Sequence, residues 1–511
     1  MHTRRWLRTR GLVRTAGATT IALFGAATLC AARAGDASVA PADLKAIGTI
    51  DARFQSYNIE MVEVTGGRFW KPYPRTMRAL DERDRYGTRP PIDLANARLR
   101  KLAAALAPAY LRVSGTWANA TFFADTDIAP ARPPPGFDSV LGRNRWRGVI
   151  DFARVVDVEI VTSFAISPGS RDADGAWKTD HAQRLIDTTR SLGGHIAAAE
   201  FMNEPTLAAT NGAPPGYDAK AYGRDFRIFR EWIQRAAPET LIVGPGSIGD
   251  APPPSGPGIT TRDLLAASGL GIDRFSYHHY NTLSPRCGGR DDPTQALSGQ
   301  WLARTEATLA IYSALRDAFE PGKPIWLTET ADAACGGNRW DRTFLDAFRY
   351  LDQHGRLARA GVQVVMHNTL AASDYGLLDE GTFRPRPSYW AALLWRRLMG
   401  TIVLDANSAP DLHLYAHCHP GMRGTVSVLA INASRHASSI LTLSHPAERY
   451  TLHATRLQGA TVQLNGKTLA LSADDELPRL EPRAATAGVV RLAPATITFL
   501  AFPTAANPAC S

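Results

Sequence analysis

Of 511 residues, 45% are hydrophobic and 21% charged, an ordinary globular composition with enough chain for one large domain and a smaller one. The formal net charge of +9 is unevenly spread. Residues 1–34 carry six arginines and no acid, which leaves 51 basic against 48 acidic side chains in the rest and excludes a partner, nucleic acid above all, held by bulk positive charge.

The chain opens with Arg4, Arg5, Arg8, Arg10 and Arg14, followed by an apolar run, Ala18–Leu29, and by Ala32-Arg33-Ala34, a small-x-small pattern. Residues 1–34 therefore read as a signal peptide, and the run is shorter than the ~20 apolar residues of a membrane span. The protein is expected to be exported to the periplasm or the extracellular space, with no span remaining once the signal is removed. Thr3-Arg4-Arg5-Trp6-Leu7 is a partial twin-arginine motif.

Beyond it, residues 35–53 form an N-terminal segment expected to add a strand to a later domain. From residue 54 to 400, short β-rich runs alternate with helical patterns. Strands are expected at Phe54–Met61, Tyr110–Val113, Ile160–Ile166, Ile196–Met202, Leu241–Val243, Phe275–Tyr280, Ile325–Thr328 and Val362–His367. Several are nearly unbroken apolar runs, as parallel strands covered on both faces require. Helices are expected at Leu94–Leu106, Arg147–Val156, His181–Leu192, Tyr222–Ala236, Leu302–Phe319 and Thr343–Leu357. Eight strands, most followed by a helix, give the α/β class and a (β/α)8 TIM barrel. A doubly wound open sheet would usually carry a glycine-rich phosphate turn after its first strand, where this chain has Glu60-Met61-Val62-Glu63.

Residues 401–511 change character. Short alternating runs at Leu412–Tyr415, Val426–Asn432, Ser439–Leu443, Val462–Leu464, Val489–Leu492 and Thr496–Phe502 predict a C-terminal antiparallel β-sandwich. Four cysteines lie outside the export segment, Cys287, Cys335, Cys418 and Cys510. They allow three pairings, and their placement in the two domains favours Cys287–Cys335 and Cys418–Cys510.

The chemistry is marked by two glutamates. The fourth strand runs into Asn203-Glu204-Pro205 and the seventh into Thr328-Glu329-Thr330. The C-terminal ends of barrel strands face the active site, and an acid closing an apolar strand is costly unless something there uses it. Two carboxyl groups are what glycoside hydrolysis needs: one protonates the leaving oxygen, the other attacks the anomeric carbon. Glu204 is the expected acid/base and Glu329 the expected nucleophile. Asn203 is suited to bonding a sugar hydroxyl beside the nucleophile.

These residues resemble the retaining TIM-barrel glycosidases. Within that clan, Leu111-Arg112-Val113-Ser114-Gly115-Thr116, Tyr277-His278-His279-Tyr280, Trp326–Thr330 with Gly336-Gly337, Val364-Val365-Met366, and Asp374–Asp379 with Pro387–Trp390 are similar to the heparanase-like β-glucuronidases of glycoside hydrolase family 79. The resemblance implies a retaining β-glucuronidase without metal or cofactor. Its substrate would be a glucuronate-containing polysaccharide, heparan sulfate first, cleaved internally, with no protein partner. It carries an acidic sugar contact to Glu60, subsite lining to His278 and Tyr280, and a contact to the sugar carboxylate to Tyr375. Thr116, Gly336 and Gly337 join these as substrate-binding candidates. Adjacent strand residues point to opposite faces, so His278 rather than His279 is expected in the cleft. Arg112 is either a substrate ligand or a barrel-core ion pair.

Two features depart from the family. Ala371-Ala372-Ser373-Asp374 stands where a glycine usually supplies a backbone N–H. Only a few tens of residues separate the first strand from Leu94, where vertebrate members carry a long excised linker, so no proteolytic activation is expected. Alternatives are an exo-acting β-glucuronidase or another retaining β-glycosidase of the clan, a non-catalytic carbohydrate binder on a degenerate barrel, and a polysaccharide lyase.

Overall fold

Eight parallel strands close into a barrel in strict chain order. They are β1 (Gln55–Glu60), β2 (Ala109–Ser114), β3 (Val158–Ser163), β4 (Ala198–Glu200), β5 (Leu241–Ser247), β6 (Arg274–Leu283), β7 (Ile325–Ala334) and β8 (Val364–His367). β8 closes on β1 through Val365↔Gln55 and His367↔Tyr57. Every residue of β1 and β2 is buried, including the polar Gln55, Ser56, Asn58 and Glu60 of β1 and Arg112 and Ser114 of β2. The computed structural model describes residues 35–74, 85–250, 258–290 and 292–511. The export segment and most of the proline-rich stretch Pro252–Gly258 lie outside them.

The barrel interior is layered, as closed eight-stranded barrels are. Its apolar floor consists of Tyr110, Val161, Ala198, Val243, Trp326, Val364 and Met366. Two residues further along their strands, Arg112 and Glu200 form a polar layer with Arg112 Nη2 2.8 Å from Glu200 Oε2. The site opens above this layer.

Helices cover the outside. Asn96 caps Ala97–Ala104 by accepting from the Leu99 N–H at 3.1 Å. Asp218 caps Ala219–Ala236 by accepting from the Ala221 N–H at 2.8 Å. Helices Thr261–Ser268 and Pro387–Leu398 lie outside the sequence-based expectation. The first has only eight residues, and the second is buried almost all round, so it lacks the polar face that marks amphipathic periodicity.

Besides two short pairings in the βα loops, Gly67–Trp70 with Tyr86–Arg89 and Thr121–Ala124 with Ser139–Gly142, the remaining described strands form two sheets. One runs Ala46–Thr49, Ile402–Leu404, Leu412–Cys418, Val426–Asn432, Thr496–Phe502 and Ala447–His453, antiparallel throughout. Facing it, Ser439–Leu443 pairs antiparallel with Gly488–Leu492 and, unexpectedly, parallel with Ala37–Val39. Leu414, Val428, Leu441, Val490 and Leu500 fill the space between. The other face of the larger sheet presents Tyr415, Leu429, Ile431 and Phe499 to the same apolar core that contains Trp395 and Leu398 of the barrel's last helix. Disulfides join Cys287 to Cys335 and Cys418 to Cys510. Among the described residues no helix is long and apolar enough to cross a membrane.

Candidate active site

The two glutamates are delivered by different local devices. In β7, Glu329 pairs in register with His278 of β6, after a bulge at Tyr277/His278. The strand period of two puts Tyr280 on the same face as His278. Glu204 instead sits in a turn, four residues past β4, with φ 45° and ψ 63°, a left-handed conformation that costs a non-glycine residue on the order of 1–3 kcal/mol. Asn119 holds that turn: its Oδ1 accepts from the Asn203 N–H, and its Nδ2 donates to the Asn203 carbonyl, each at 2.9 Å.

The carboxylates converge. One side-chain oxygen each of Glu204 and Glu329 and one ring nitrogen of His278 lie within 4.8 Å of one another. His278 Nδ1 is 3.1 Å from Glu204 Oε1 and 3.8 Å from Glu329 Oε2. Its Nε2 faces Arg112 Nη2 at 3.4 Å. Asn211 Nδ2 donates to Glu204 Oε2 at 3.4 Å. These three groups could ligate a cation, but Arg112 already places a positive charge there, its Nη1 donating to Glu329 Oε2 at 2.9 Å.

Arg112 is the hub. It also donates through Nε to Glu200 Oε2 at 2.9 Å and through Nη2 to Asn203 Oδ1 at 2.7 Å. The choice between core ion pair and substrate ligand resolves toward the ion pair: only 1% of Arg112 is exposed. Burial alone would push the Glu329 carboxyl up. The charges of His278 and Arg112 and the Tyr280 hydroxyl, donating at 2.6 Å, outweigh it and hold Glu329 below the usual carboxylate range.

On the opposite wall, burial and the nearby Glu329 charge raise the Glu60 carboxyl well above its ordinary value. Asn368, just past β8, donates through Nδ2 to Glu60 Oε1 and to the Tyr280 hydroxyl, each at 3.0 Å, and lies 3.5 Å from the Tyr375 hydroxyl. Glu60 Oε2 and Asn368 Oδ1 are buried without a hydrogen-bond partner among the described residues. Gly115 makes room for Glu60, since a Cβ there would fall 1.5 Å from Oε2. Burial first, then the neighbouring carboxylates, raises the Tyr280 and Tyr375 hydroxyls, which keeps both as proton donors.

Seven of the residues singled out in the sequence thus belong to one connected cluster, linked through Arg112 and Asn368: Glu60, Asn203, Glu204, His278, Tyr280, Glu329 and Tyr375. His279 points the other way and bonds Asn281 Oδ1 at 2.9 Å. Gly336 and Gly337 act on the loop that carries Tyr375. The Gly336 carbonyl accepts from Ser373 Oγ and from the Asp374 N–H, and a Cβ on Gly337 would meet the Tyr375 nitrogen at 2.9 Å. Thr116 is half-buried, next to Gly115 at the start of helix Thr116–Ala120. At the departing segment, Asp374 is buried and paired with Arg286, and its Oδ2 accepts from the Tyr73 N–H at 2.9 Å. Glu200, Asn119 and Asn368 were missed. An isolated Glu or Asn in a short segment carries no sequence signal of the partner it meets across a barrel.

A closed parallel barrel with paired carboxylates, one just past its fourth strand and one within its seventh, defines a TIM-barrel glycoside hydrolase. Residues 91–355 match the family model for the N-terminal domain of glycosyl hydrolase family 79, and the chain belongs to that family. It is 29% identical to heparanase of Mus musculus over 465 residues, covering 79% of this chain and 84% of that one. It is 28% identical to baicalin-beta-D-glucuronidase of Scutellaria baicalensis over 365 residues, covering 68% and 66%. Among solved structures, a 4-O-alpha-L-rhamnosyl-beta-D-glucuronidase of Fusarium oxysporum superposes with a TM-score of 0.61 at 14% identity, covering 92% of this chain and 99% of that one, a likeness of fold.

Proposed function

We propose that the protein is a retaining β-D-glucuronidase that cleaves within heparan-sulfate-type glycosaminoglycans. Glu204 is its acid/base and Glu329 its nucleophile. The observation that carries this reading is the approach of the two carboxylates, one oxygen of each lying within 4.8 Å of the other. Retaining glycosidases place these groups about 5–5.5 Å apart, whereas inverting enzymes leave about 6.5–9.5 Å for an intervening water.

In the first step Glu329 attacks the anomeric carbon while Glu204 gives its proton to the glycosidic oxygen. In the second, Glu204 takes a proton from the water that releases the glucuronyl ester and frees Glu329. Arg112 and Tyr280 keep the attacking carboxylate ionised. Glu60 contacts the sugar hydroxyls, Asn203 bonds the hydroxyl beside the reacting carbon, and Tyr375 donates to the sugar carboxylate. The glucuronide specificity is supported by what the mouse and Scutellaria relatives have in common, a glucuronidase or heparanase name.

In this reading residues 1–34 are a removed export signal, 54–400 the catalytic barrel, and 401–511 with 35–53 a sandwich that buttresses it. The test is turnover of an aryl β-glucuronide against an aryl β-glucoside, with digestion of defined heparan sulfate oligosaccharides sized by mass spectrometry. Preference for the glucuronide and products cut at internal glucuronates are expected. Release of single terminal glucuronates would mean exo action, and preference for the glucoside would overturn the substrate assignment.

A further inference from the structure

Two βα loops bring aromatic side chains up to Tyr375, and the carboxylate chemistry does not use them. After β1, strand Gly67–Trp70 pairs with Tyr86–Arg89. After β2, the chain passes Gly115 into helix Thr116–Ala120, which carries Trp117. The indoles of Trp70 and Trp117 meet edge to face, with centroids 6.3 Å apart at 86°. Both are half-buried, and with Tyr280 they pack against a small apolar cluster that includes Phe69, Ala372 and Tyr375.

The corner is braced from behind. Tyr86 stacks on Trp70 at 4.5 Å and 27° and bears the Arg68 guanidinium over its ring at 5.5 Å. Buried Phe69 supports Trp117 at 4.9 Å. Gly336, at φ 85°, lets the hairpin close on the β7 loop, because a Cβ there would fall 2.4 Å from the Trp70 Cβ.

Position gives the corner its role, on the reading of the site as a glucuronidase. Glu204 marks the side on which the leaving group departs. The far end of the bound ring then faces Glu60 and Tyr375, and the tryptophans pack against the apolar cluster that holds Tyr375. We propose that Trp70 and Trp117 form a subsite for the glycosyl unit attached to the non-reducing side of the cleaved glucuronate, a pyranose held by its C–H face. A half-exposed aromatic wall takes a neighbouring sugar by shape and apolar contact. Such contact does not depend on sulfate groups and is not screened by salt, as contacts between exposed charges are.

Trp117→Ala and Trp70→Ala are assayed on an aryl β-glucuronide, which has no such unit, and on a defined oligosaccharide with an internal glucuronate. The ratio of kcat/KM, oligosaccharide over aryl glucuronide, is expected to fall about tenfold, the order of one aromatic ring contact, chiefly through KM. The loss should be equal at low and high salt, and Trp117→Phe should recover most of it. An unchanged ratio in both alanine variants, or a loss that vanishes at high salt, overturns the proposal. A wild-type protein inert on both substrates would instead overturn the glucuronidase reading, and this inference with it.

Discussion

Tyr280 and Arg112 show how single side chains set the charge of Glu329, the proposed nucleophile. The Tyr280 hydroxyl donates to Glu329 Oε1 at 2.6 Å, a charge-assisted bond that favours the ionised carboxylate. In Tyr280→Phe, the Glu329 carboxyl rises and less of it is ionised at a given acidic pH. The acidic limb of the kcat/KM profile is therefore expected to move to higher pH, as a pH series on an aryl β-glucuronide would reveal. An unmoved limb would mean that the hydroxyl does not act through Glu329. Arg112 faces two buried acids, Glu200, 1% exposed, and Glu329, 6% exposed. Arg112→Ala leaves both without their cation, and such a break costs about 3–5 kcal/mol. Thermal or denaturant melts should register that loss. Arg112→Lys should recover part of the stability and little of the activity, since one ammonium cannot reproduce the fork that reaches Glu200, Glu329 and Asn203.

Much of this site was legible before any coordinates, for a physical reason. An acid at the end of an apolar strand is conspicuous, so Glu204 and Glu329 stood out. The strand period of two separated His278 from His279. Arg112 was visible too, but its role was not, because nothing in Leu111-Arg112-Val113 says that Glu200 and Glu329 will flank it. Asn119 and Asn368 act through backbone carbonyls and neighbouring hydroxyls, partners that a linear pattern does not encode.

The elements divide along similar lines. Several of the central parallel strands are nearly unbroken apolar runs, and all eight overlap the ranges read from the sequence, although β5 and β7 run on to Ser247 and Ala334. Helix Pro387–Leu398 was not, because it is wedged between barrel and sandwich and has almost no solvent face. Beside it, helix Phe344–Arg359 meets strand Leu412–Cys418 through a polar knot: Asp352 accepts from His413 Nδ1 at 2.5 Å, from the Tyr415 hydroxyl at 2.7 Å and from Arg356 Nε at 2.6 Å. Burial opposes the ionised form of Asp352, but His413 and Arg356 prevail and hold its carboxyl below the ordinary range. A depressed folded-state value means that its contribution to stability is present above the unfolded value and is lost as pH falls through the folded one. Asp352→Asn should therefore lower Tm at neutral pH, and the gap to wild type should shrink as the melts are taken to acid. A gap independent of pH would show that the knot works by packing alone.

At the scale of the molecule, barrel and sandwich share one apolar core, which gives the sandwich a mechanical role whatever else it does. The N-terminal segment is stitched into both sheets, with Ala46–Thr49 on the larger and Ala37–Val39 on the smaller, so the barrel is entered and left through the sandwich. Local alternation suggested the first of these strands but gave no sign that the second would run parallel to Ser439–Leu443. In the proposed mechanism this framework holds two carboxylates at direct-attack distance. The measurement closest to that claim is trapping with a 2-deoxy-2-fluoro-β-D-glucuronosyl fluoride, which slows release of a covalent intermediate. The account predicts that the intact mass rises by one fluoroglucuronyl unit, that peptide mapping places the ester on Glu329, and that Glu329→Gln gains nothing. An adduct on any other residue, or a product of inverted anomeric configuration by NMR, would contradict it.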